Sequence, residues 1–127
     1  KKGFLEGDGT QSRDFCFVEN VVQANVKAMQ FKGKFNGEAF NIGVGDRTNL
    51  REVKELIEKH TGKKLSLEKR PPRTGDVKHT HADISKAKKE LGWEAKTSFE
   101  EGLRRYIKWY QEKIEEEKAS WERLAGV

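Results

Sequence analysis

Between Ala39 and Lys69 the hydrophobic period changes twice, which restricts the chain to folds that mix helix with sheet. Ala39 to Ile42 is a short apolar run that stops at Gly43, and it predicts a strand. Asn49 is a good helix cap, and Glu52 three residues on completes a capping-box pattern. Leu50, Val53, Leu56 and Ile57 then recur at helical spacing, and Gly62 ends the run. Leu65 and Leu67 alternate with polar residues, so a strand is expected over about 64–69. Pro71-Pro72 forbids regular structure, and 71–82 is expected to be a loop.

The flanking segments follow the same logic. Residues 1–17 read as extended, with a turn at Gly7-Asp8-Gly9. Val18, Val21, Val22, Asn25, Val26 and Met29 recur at three and four, predicting a helix over about 18–31 with that face buried. A Gly/Lys/Asn loop follows from Phe31 to Glu38. Asp83 is expected to cap a short helix with Ile84, Ala87 and Leu91 inward and Gly92 at its end. Ser98 with Glu101 opens a long helix bearing Phe99, Leu103, Tyr106, Ile107, Tyr110 and Ile114. The pattern thins beyond Glu115, with Trp121 and Leu124 as candidates to continue it. The expected order is β-α-β-α-β-loop-α-α. That is an α/β chain (an α+β unit) with a small sheet, four helices and too few strands for a complete doubly wound sheet.

Composition narrows the function classes. The 127 residues suit one domain, so 1–127 is read as a single unit. Lys and Arg outnumber Asp and Glu by 26 to 21, a mild excess of +5 over 47 charged residues. Acids stand at helical spacing from many of the bases, as in Glu100 with Arg104 and Glu101 with Arg105, which predicts a salt-bridged surface and no nucleic-acid partner. No apolar run is long enough to cross a membrane. A single cysteine, Cys16, excludes an internal disulfide and suits a reducing, cytoplasmic setting. His79 and His81 lack the further ligands zinc needs, so no metal site is expected.

Three segments carry candidate chemistry. Gly43-Val44-Gly45 lies between a strand and a helix, as a dinucleotide-binding turn would, with Glu68 placed like a ribose-binding acid. The match breaks at the third glycine, where Thr48 stands, and a plain turn before a capped helix is the preferred reading. Arg73-Thr74-Gly75-Asp76 follows the proline pair. An arginine on a stiff loop suits phosphate, because the guanidinium offers paired donors at low ordering cost. Asp76 could accept ribose hydroxyls, and a surface Arg–Asp ion pair is the equal alternative. Arg13-Asp14-Phe15 carries the same ambiguity, with Asp14 read as a helix cap or as the partner of Arg13. No Ser-His-Asp, Cys-His or Tyr-x-x-x-Lys arrangement is legible, since Tyr110 is followed by Ile114 at that offset.

Taken together, GDGTQSRDFCFVENVVQANVKAM, FNIGVGDRTNLREVKELI, PPRTGDVKHTHADISKAKKELGW and SFEEGLRRYIKWYQE resemble, in that order, one family. They resemble the C-terminal, substrate-binding part of extended short-chain dehydrogenase/reductases, specifically NAD-dependent nucleotide-sugar epimerases and dehydratases. The forms SRDFCF, VGDRTNL and TGDVKHTHADISKA look nearest to the UDP-N-acetylglucosamine 4-epimerase branch, with UDP-glucose 4-epimerase beside it. The resemblance implies that Arg13 and Arg73 bind the diphosphate of a UDP-sugar, that Asp76 holds the ribose, and that Phe4 lies beside uracil. It also implies a Rossmann-type parent enzyme with NAD as cofactor, cytoplasmic and dimeric.

The family's glycine-rich NAD fingerprint and catalytic Tyr-x-x-x-Lys are not found in these residues. With Lys in place of Met at position 1, the chain is expected to be a piece lacking the N-terminal NAD-binding domain, to bind no NAD alone and to hold no catalytic residue. A stand-alone inactive nucleotide-sugar binder, a dehydratase piece and a basic interaction module are the alternatives. An exposed apolar patch, fuller on the Val18–Met29 helix than on the Ser98–Glu115 helix, and self-association through it are also expected.

Overall fold

The computed structural model describes residues 3–125 and contains four strands and four helices. β1 (Gly3–Glu6), β2 (Ser12–Arg13), α1 (Val18–Gln30), β3 (Thr48–Asn49), α2 (Leu50–Thr61), β4 (Leu67–Arg70), α3 (Ser85–Leu91) and α4 (Phe99–Ala125) follow one another. The sheet is two small ladders. β1 lies parallel to β4 with Gly3 opposite Leu67 and Glu6 opposite Arg70. β2 runs antiparallel to β3, with Ser12 opposite Asn49 and Arg13 opposite Thr48. This mixed α/β arrangement agrees with the expected class.

The helix boundaries follow from their caps. The Asn49 side chain accepts from the Arg51 and Glu52 amides while Glu52 reaches back to the Asn49 amide, so both halves of the expected capping box form. Gly62 and Gly92 end α2 and α3 with φ of 67° and 58°, a conformation that costs residues with a Cβ. At α4 only half of the box exists. Ser98 Oγ accepts from the Glu101 amide, but the Glu101 carboxylate turns to Arg104 and Arg105 instead. Glu100 does not meet Arg104; it faces Lys59 and His60 on α2. Asp83 bonds the Ser85 amide at 2.9 Å, steadying the entry to α3, whose cap position is Ile84.

Several expectations are corrected. Residues 39–42 form no strand. The segment is tethered by side chains: Lys86 Nζ donates to the Ala39 carbonyl, Asn41 Nδ2 donates to the Asp83 carbonyl, and Phe40 and Ile42 pack on the core. With no ladder partner among the described residues, its extended backbone has nothing to pair with. β3 is an addition that two residues could not announce. β4 begins at Leu67 because the Leu65 amide is claimed by the Glu58 carboxylate at 2.7 Å. α4 runs well past Glu115, supported by pairs three apart, Lys113 with Glu116 and Lys118 with Glu115. The side chains of Trp121 and Leu124 lie outside the described residues.

The largest correction concerns α1. The expected buried face is the exposed one: Val18 is 65% accessible and Met29 84%. The residues turned inward are Asn20 and Ala24, one turn apart. They meet Ala87 of α3 and Trp93, and this small cluster is the core. Asn20 can be buried because both polar atoms of its side-chain amide are hydrogen-bonded. Nδ2 donates to the Thr97 carbonyl at 2.7 Å, and Oδ1 accepts from the Lys96 and Thr97 amides. Its own carbonyl accepts Trp93 Nε1 at 3.1 Å. Tyr106, Trp109 and Tyr110 of α4 are also about half exposed, but α1 contributes five exposed large apolar residues, Val18, Val21, Val22, Val26 and Met29, so the exposed apolar surface is fuller on α1, as the expected patch required. No helix among the described residues is long and apolar enough to cross a membrane.

The α2–β4 joint makes stability depend on pH. Lys54, followed by the Leu65 amide, holds Glu58 down from 4.5 to about 2, and Arg104 with Arg105 does the same for Glu101. A carboxyl whose folded value is depressed contributes stability above its unfolded value and loses it as pH falls toward the folded one. The melting temperature is therefore expected to fall between pH 4.5 and about 2. Glu58→Gln should lower it at pH 6 and shrink that acid-dependent drop; equal drops in both proteins would contradict the assignment.

Candidate functional site

Two adjacent grooves meet at the turn between β1 and β2. The turn is stiff: Asp8 Oδ1 accepts from both the amide and the hydroxyl of Thr10, and these bonds hold the Asp8 carboxyl below its ordinary range. Arg51, at the start of α2, donates through its amide to the Gly9 carbonyl and through Nε to the Asp8 carbonyl. The Gly7 amide donates to the Arg70 carbonyl, extending the β1–β4 ladder into the turn. One groove, about 570 Å³, is walled by Asp8, Lys69, Arg70, Arg73 and Lys78. The other, about 230 Å³, is walled by Phe4, Leu5, Arg13 and Leu50. Glu6, Gln11 and Asp76 line both.

All four residues singled out from the sequence therefore border this pair of adjoining grooves. Arg13 points into them from β2, Arg73 and Asp76 from the loop after the proline pair, and Phe4 from β1. The ion pair between Arg73 and Asp76, the alternative reading of that loop, is not formed. The Asp76 carboxylate binds Arg13 Nη2 at 2.5 Å, while Arg73 accepts only the Asp76 amide on its carbonyl. Arg13 Nη1 donates to the Ser12 carbonyl at 2.8 Å. Among the described residues the Arg73 guanidinium has no acidic partner, so its donors are available to a ligand. The Phe4 ring is half exposed, with the Arg70 guanidinium stacked on it, 3.9 Å from the centroid.

Sequence reasoning missed Lys69, Arg70 and Lys78 as groove residues. Lys69-Arg70 shows in the sequence as a basic pair, but its place on the wall depends on β4 lying against β1. Lys78 has no local signal; it is carried here by the Lys78 carbonyl accepting the Ser12 amide at 2.9 Å. Together with Arg13 and Arg73 these residues give the depression a cationic wall, while Glu6, Asp8 and Asp76 supply acceptors suited to hydroxyls or an amine.

The other candidates are placed elsewhere. Asp14 neither caps α1 nor touches Arg13. Its carboxylate accepts the Val44 amide at 2.7 Å and the Gly45 amide at 3.1 Å. The amides of the glycine turn are thus already occupied by a carboxylate, and these residues do not fit a dinucleotide pyrophosphate. Glu68 is exposed beside Arg70. Ser12 Oγ and His79 Nδ1 are 2.9 Å apart, and no described group of three or more His, Cys, Asp or Glu is placed to hold a metal. The half-buried Cys16 thiol is pushed up by desolvation and then by Asp14, the opposite of an activated nucleophile. A further hollow, about 730 Å³, lies between Phe15, Phe17, Phe99, Leu103, Tyr106 and Trp109. Its one cation, Arg105, is neutralised by Glu101 and Glu19, so it offers apolar contact and no grip on phosphate.

A family model described as GDP-mannose 4,6 dehydratase matches residues 1–106. The UDP-glucuronate 4-epimerase of Thermodesulfobacterium geofontis is 40% identical over 110 residues, which are 86% of this chain and 33% of that protein. The crystal structure of UDP-glucose 4-epimerase from Thermotoga maritima with UDP-glucose superposes with a TM-score of 0.81 at 38% identity, covering 90% of this chain and 36% of that one. UDP-glucuronic acid 4-epimerase from Bacillus cereus, in complex with UDP-glucuronic acid and NAD, superposes with a TM-score of 0.70 at 34% identity, covering 86% and 35%. The chain spans about a third of the length of the relatives it matches.

Proposed function

The chain belongs to the GDP-mannose 4,6 dehydratase family of extended short-chain dehydrogenase/reductases, and from that premise we propose that it is the nucleotide-sugar-binding portion of an NAD-dependent UDP-sugar 4-epimerase. The observation that carries this reading is that Arg13 and Arg73, from separate elements, line adjoining grooves that share Asp76 on their walls. Two guanidiniums on separate elements suit a diphosphate, whose two phosphoryl groups each accept paired donors. Asp76 is the acceptor paired with Arg13, and binding of a diphosphate by Arg13 frees it for ribose hydroxyls. Phe4 and Arg70 offer a flat face to a base.

The reaction class explains why the grip belongs on the nucleotide. Inversion at C4 through a 4-keto sugar requires the sugar to turn over, so few contacts can hold it. The binding energy comes from the diphosphate and nucleoside and is used remotely to position the reacting carbon. NAD supplies the hydride acceptor when bound, and we assign it, with the base, to the rest of the enzyme. The test of the reading is incubation of the full-length protein with NAD and UDP-glucose, UDP-glucuronate or UDP-N-acetylglucosamine. A C4 epimer is expected; accumulation of a 4-keto-6-deoxy product would make it a dehydratase. Residues 1–127 alone, given NAD and the same sugars, are expected to give no turnover, because their sequence carries neither the glycine-rich NAD fingerprint nor the Tyr-x-x-x-Lys pair; any epimer formed would refute this.

The exposed apolar faces of α1 and α4 are assigned to contact with the NAD-binding portion. Without it, the chain is expected to self-associate at micromolar concentration through Val22, Met29, Trp109 and their neighbours. Light scattering showing a monomer would mean that these faces need no cover.

A further inference from the structure

The glycine turn that fails as a dinucleotide motif closes on the residue next to Arg13. Asp14 Oδ1 accepts the Val44 amide at 2.7 Å; Oδ2 accepts the Gly45 amide at 3.1 Å and the Ala82 amide at 3.3 Å. Gly43 is what permits this approach, since a Cβ there would lie 2.5 Å from Asp14 Oδ2 and 2.7 Å from the Ala82 Cβ. One carboxylate thus ties together two loops distant in sequence. The second of them, ending at Ala82, carries Arg73 and Asp76.

Arg13 and Asp14 are consecutive on an extended backbone, so their side chains leave on opposite sides. Arg13 reaches the depression and Asp14 reaches the loops. β2 itself is only two residues long; Arg13 pairs with Thr48 of β3, and its guanidinium is held by the Asp76 carboxylate and the Ser12 and Lys78 carbonyls. Further ties come from Ser12, whose amide and carbonyl bond Lys78 and Thr80 and whose hydroxyl meets His79. We propose that Asp14 is the positioning residue of the diphosphate site: by accepting three amides it fixes the separation between the Arg13 and Arg73 guanidiniums. A carboxylate suits this task because it presents acceptors only, whereas an amide would set an N–H against one of the donors. The inference rests on the nucleotide-sugar reading above.

The test is calorimetric titration of the full-length protein with UDP and, separately, with uridine. Asp14→Asn is expected to weaken UDP binding about tenfold or more while changing uridine affinity less than about threefold, because two partners in one network fail together. In the Asp14→Asn background, Arg13→Ala should then cost less than about threefold, against tens-fold in the wild type. Gly43→Ala, which displaces the same carboxylate without removing its charge, should reproduce the loss. In the wild type, saturating UDP should slow amide exchange at Val44, Gly45 and Ala82 by about threefold or more; this arm needs no variant. Folded variants with wild-type UDP affinity, equal losses for UDP and uridine, additive effects of the two substitutions, or unchanged exchange rates would each overturn the proposal. Wild-type protein that binds no UDP would instead remove the reading on which it rests.

Discussion

Removing both guanidiniums from the depression is expected to abolish measurable UDP-sugar binding. Each arginine contributes charge-assisted hydrogen bonds to the diphosphate, and losing one set costs roughly 1.5–3 kcal/mol, or about 10- to 150-fold in affinity. The two act on different phosphoryl groups from different elements, β2 and the loop after Pro72, so their losses should nearly add. The single substitutions need not be equal. Arg13→Ala also releases Asp76 from its 2.5 Å ion pair and leaves a free carboxylate facing the phosphates, so it should be the more damaging. Arg73→Ala removes a guanidinium without an acidic partner among the described residues and should act on the ligand alone. Because neither residue contributes to the core, melting temperatures should stay near wild type. Calorimetry showing unchanged affinity in both variants would return the arginines to the role of surface ion pairs.

The second large effect is on stability. Trp93→Ala is expected to leave the chain largely unfolded at 25 °C. Trp93 is 1% exposed, and with Ala24 and Ala87 it makes up the fully buried apolar core. Removing a buried tryptophan costs about 3–5 kcal/mol through lost transfer energy and the cavity left behind. It also strips the Asn20 carbonyl of its indole donor. That total is a large part of what a small domain possesses. Asn20→Ala should act in the same direction, because the Lys96 and Thr97 amides and the Thr97 carbonyl all lose their partner, at about 1–3 kcal/mol for each group left buried and unpaired. Val22→Ala serves as the contrast. Val22 is exposed in this chain, and its substitution should change stability by no more than about 0.5 kcal/mol. Thermal melts followed by circular dichroism rank the three; a Val22→Ala loss as large as that of Asn20→Ala would restore the originally expected face of α1 to the interior.

That contrast shows what the sequence could and could not disclose. Helix positions and ends were legible because their signals are local: Asn49 and Glu52 at one end of α2, Gly62 at the other. The residues proposed for the site could be picked out because Arg13, Arg73 and Asp76 sit in motifs whose order matches a family. Which face of α1 is buried was not legible. Hydrophobic periodicity reports which face of a helix is apolar and not what covers it, and among the described residues the valines of α1 stay exposed. The true inward face pairs an asparagine with an alanine, and nothing in a single sequence shows that Asn20 will be satisfied by the backbone of residues 96 and 97. The 39–42 segment failed for a related reason. Its apolar residues are those of a strand, but pairing is a property of the neighbour, and no described residue lies alongside as a ladder partner. The role of Asp14 was hidden because its partners are backbone amides thirty and sixty-eight residues away.

The central claim is that the depression around Asp76 is a nucleotide-diphosphate site, and a crystal structure of the full-length protein with UDP tests it most directly. The account predicts diphosphate oxygens within hydrogen-bonding distance of both the Arg13 and Arg73 guanidiniums. The Asp76 carboxylate should have left Arg13 for the ribose. UDP bound elsewhere, or bound with the Arg13–Asp76 pair intact and Arg73 turned to solvent, would contradict it.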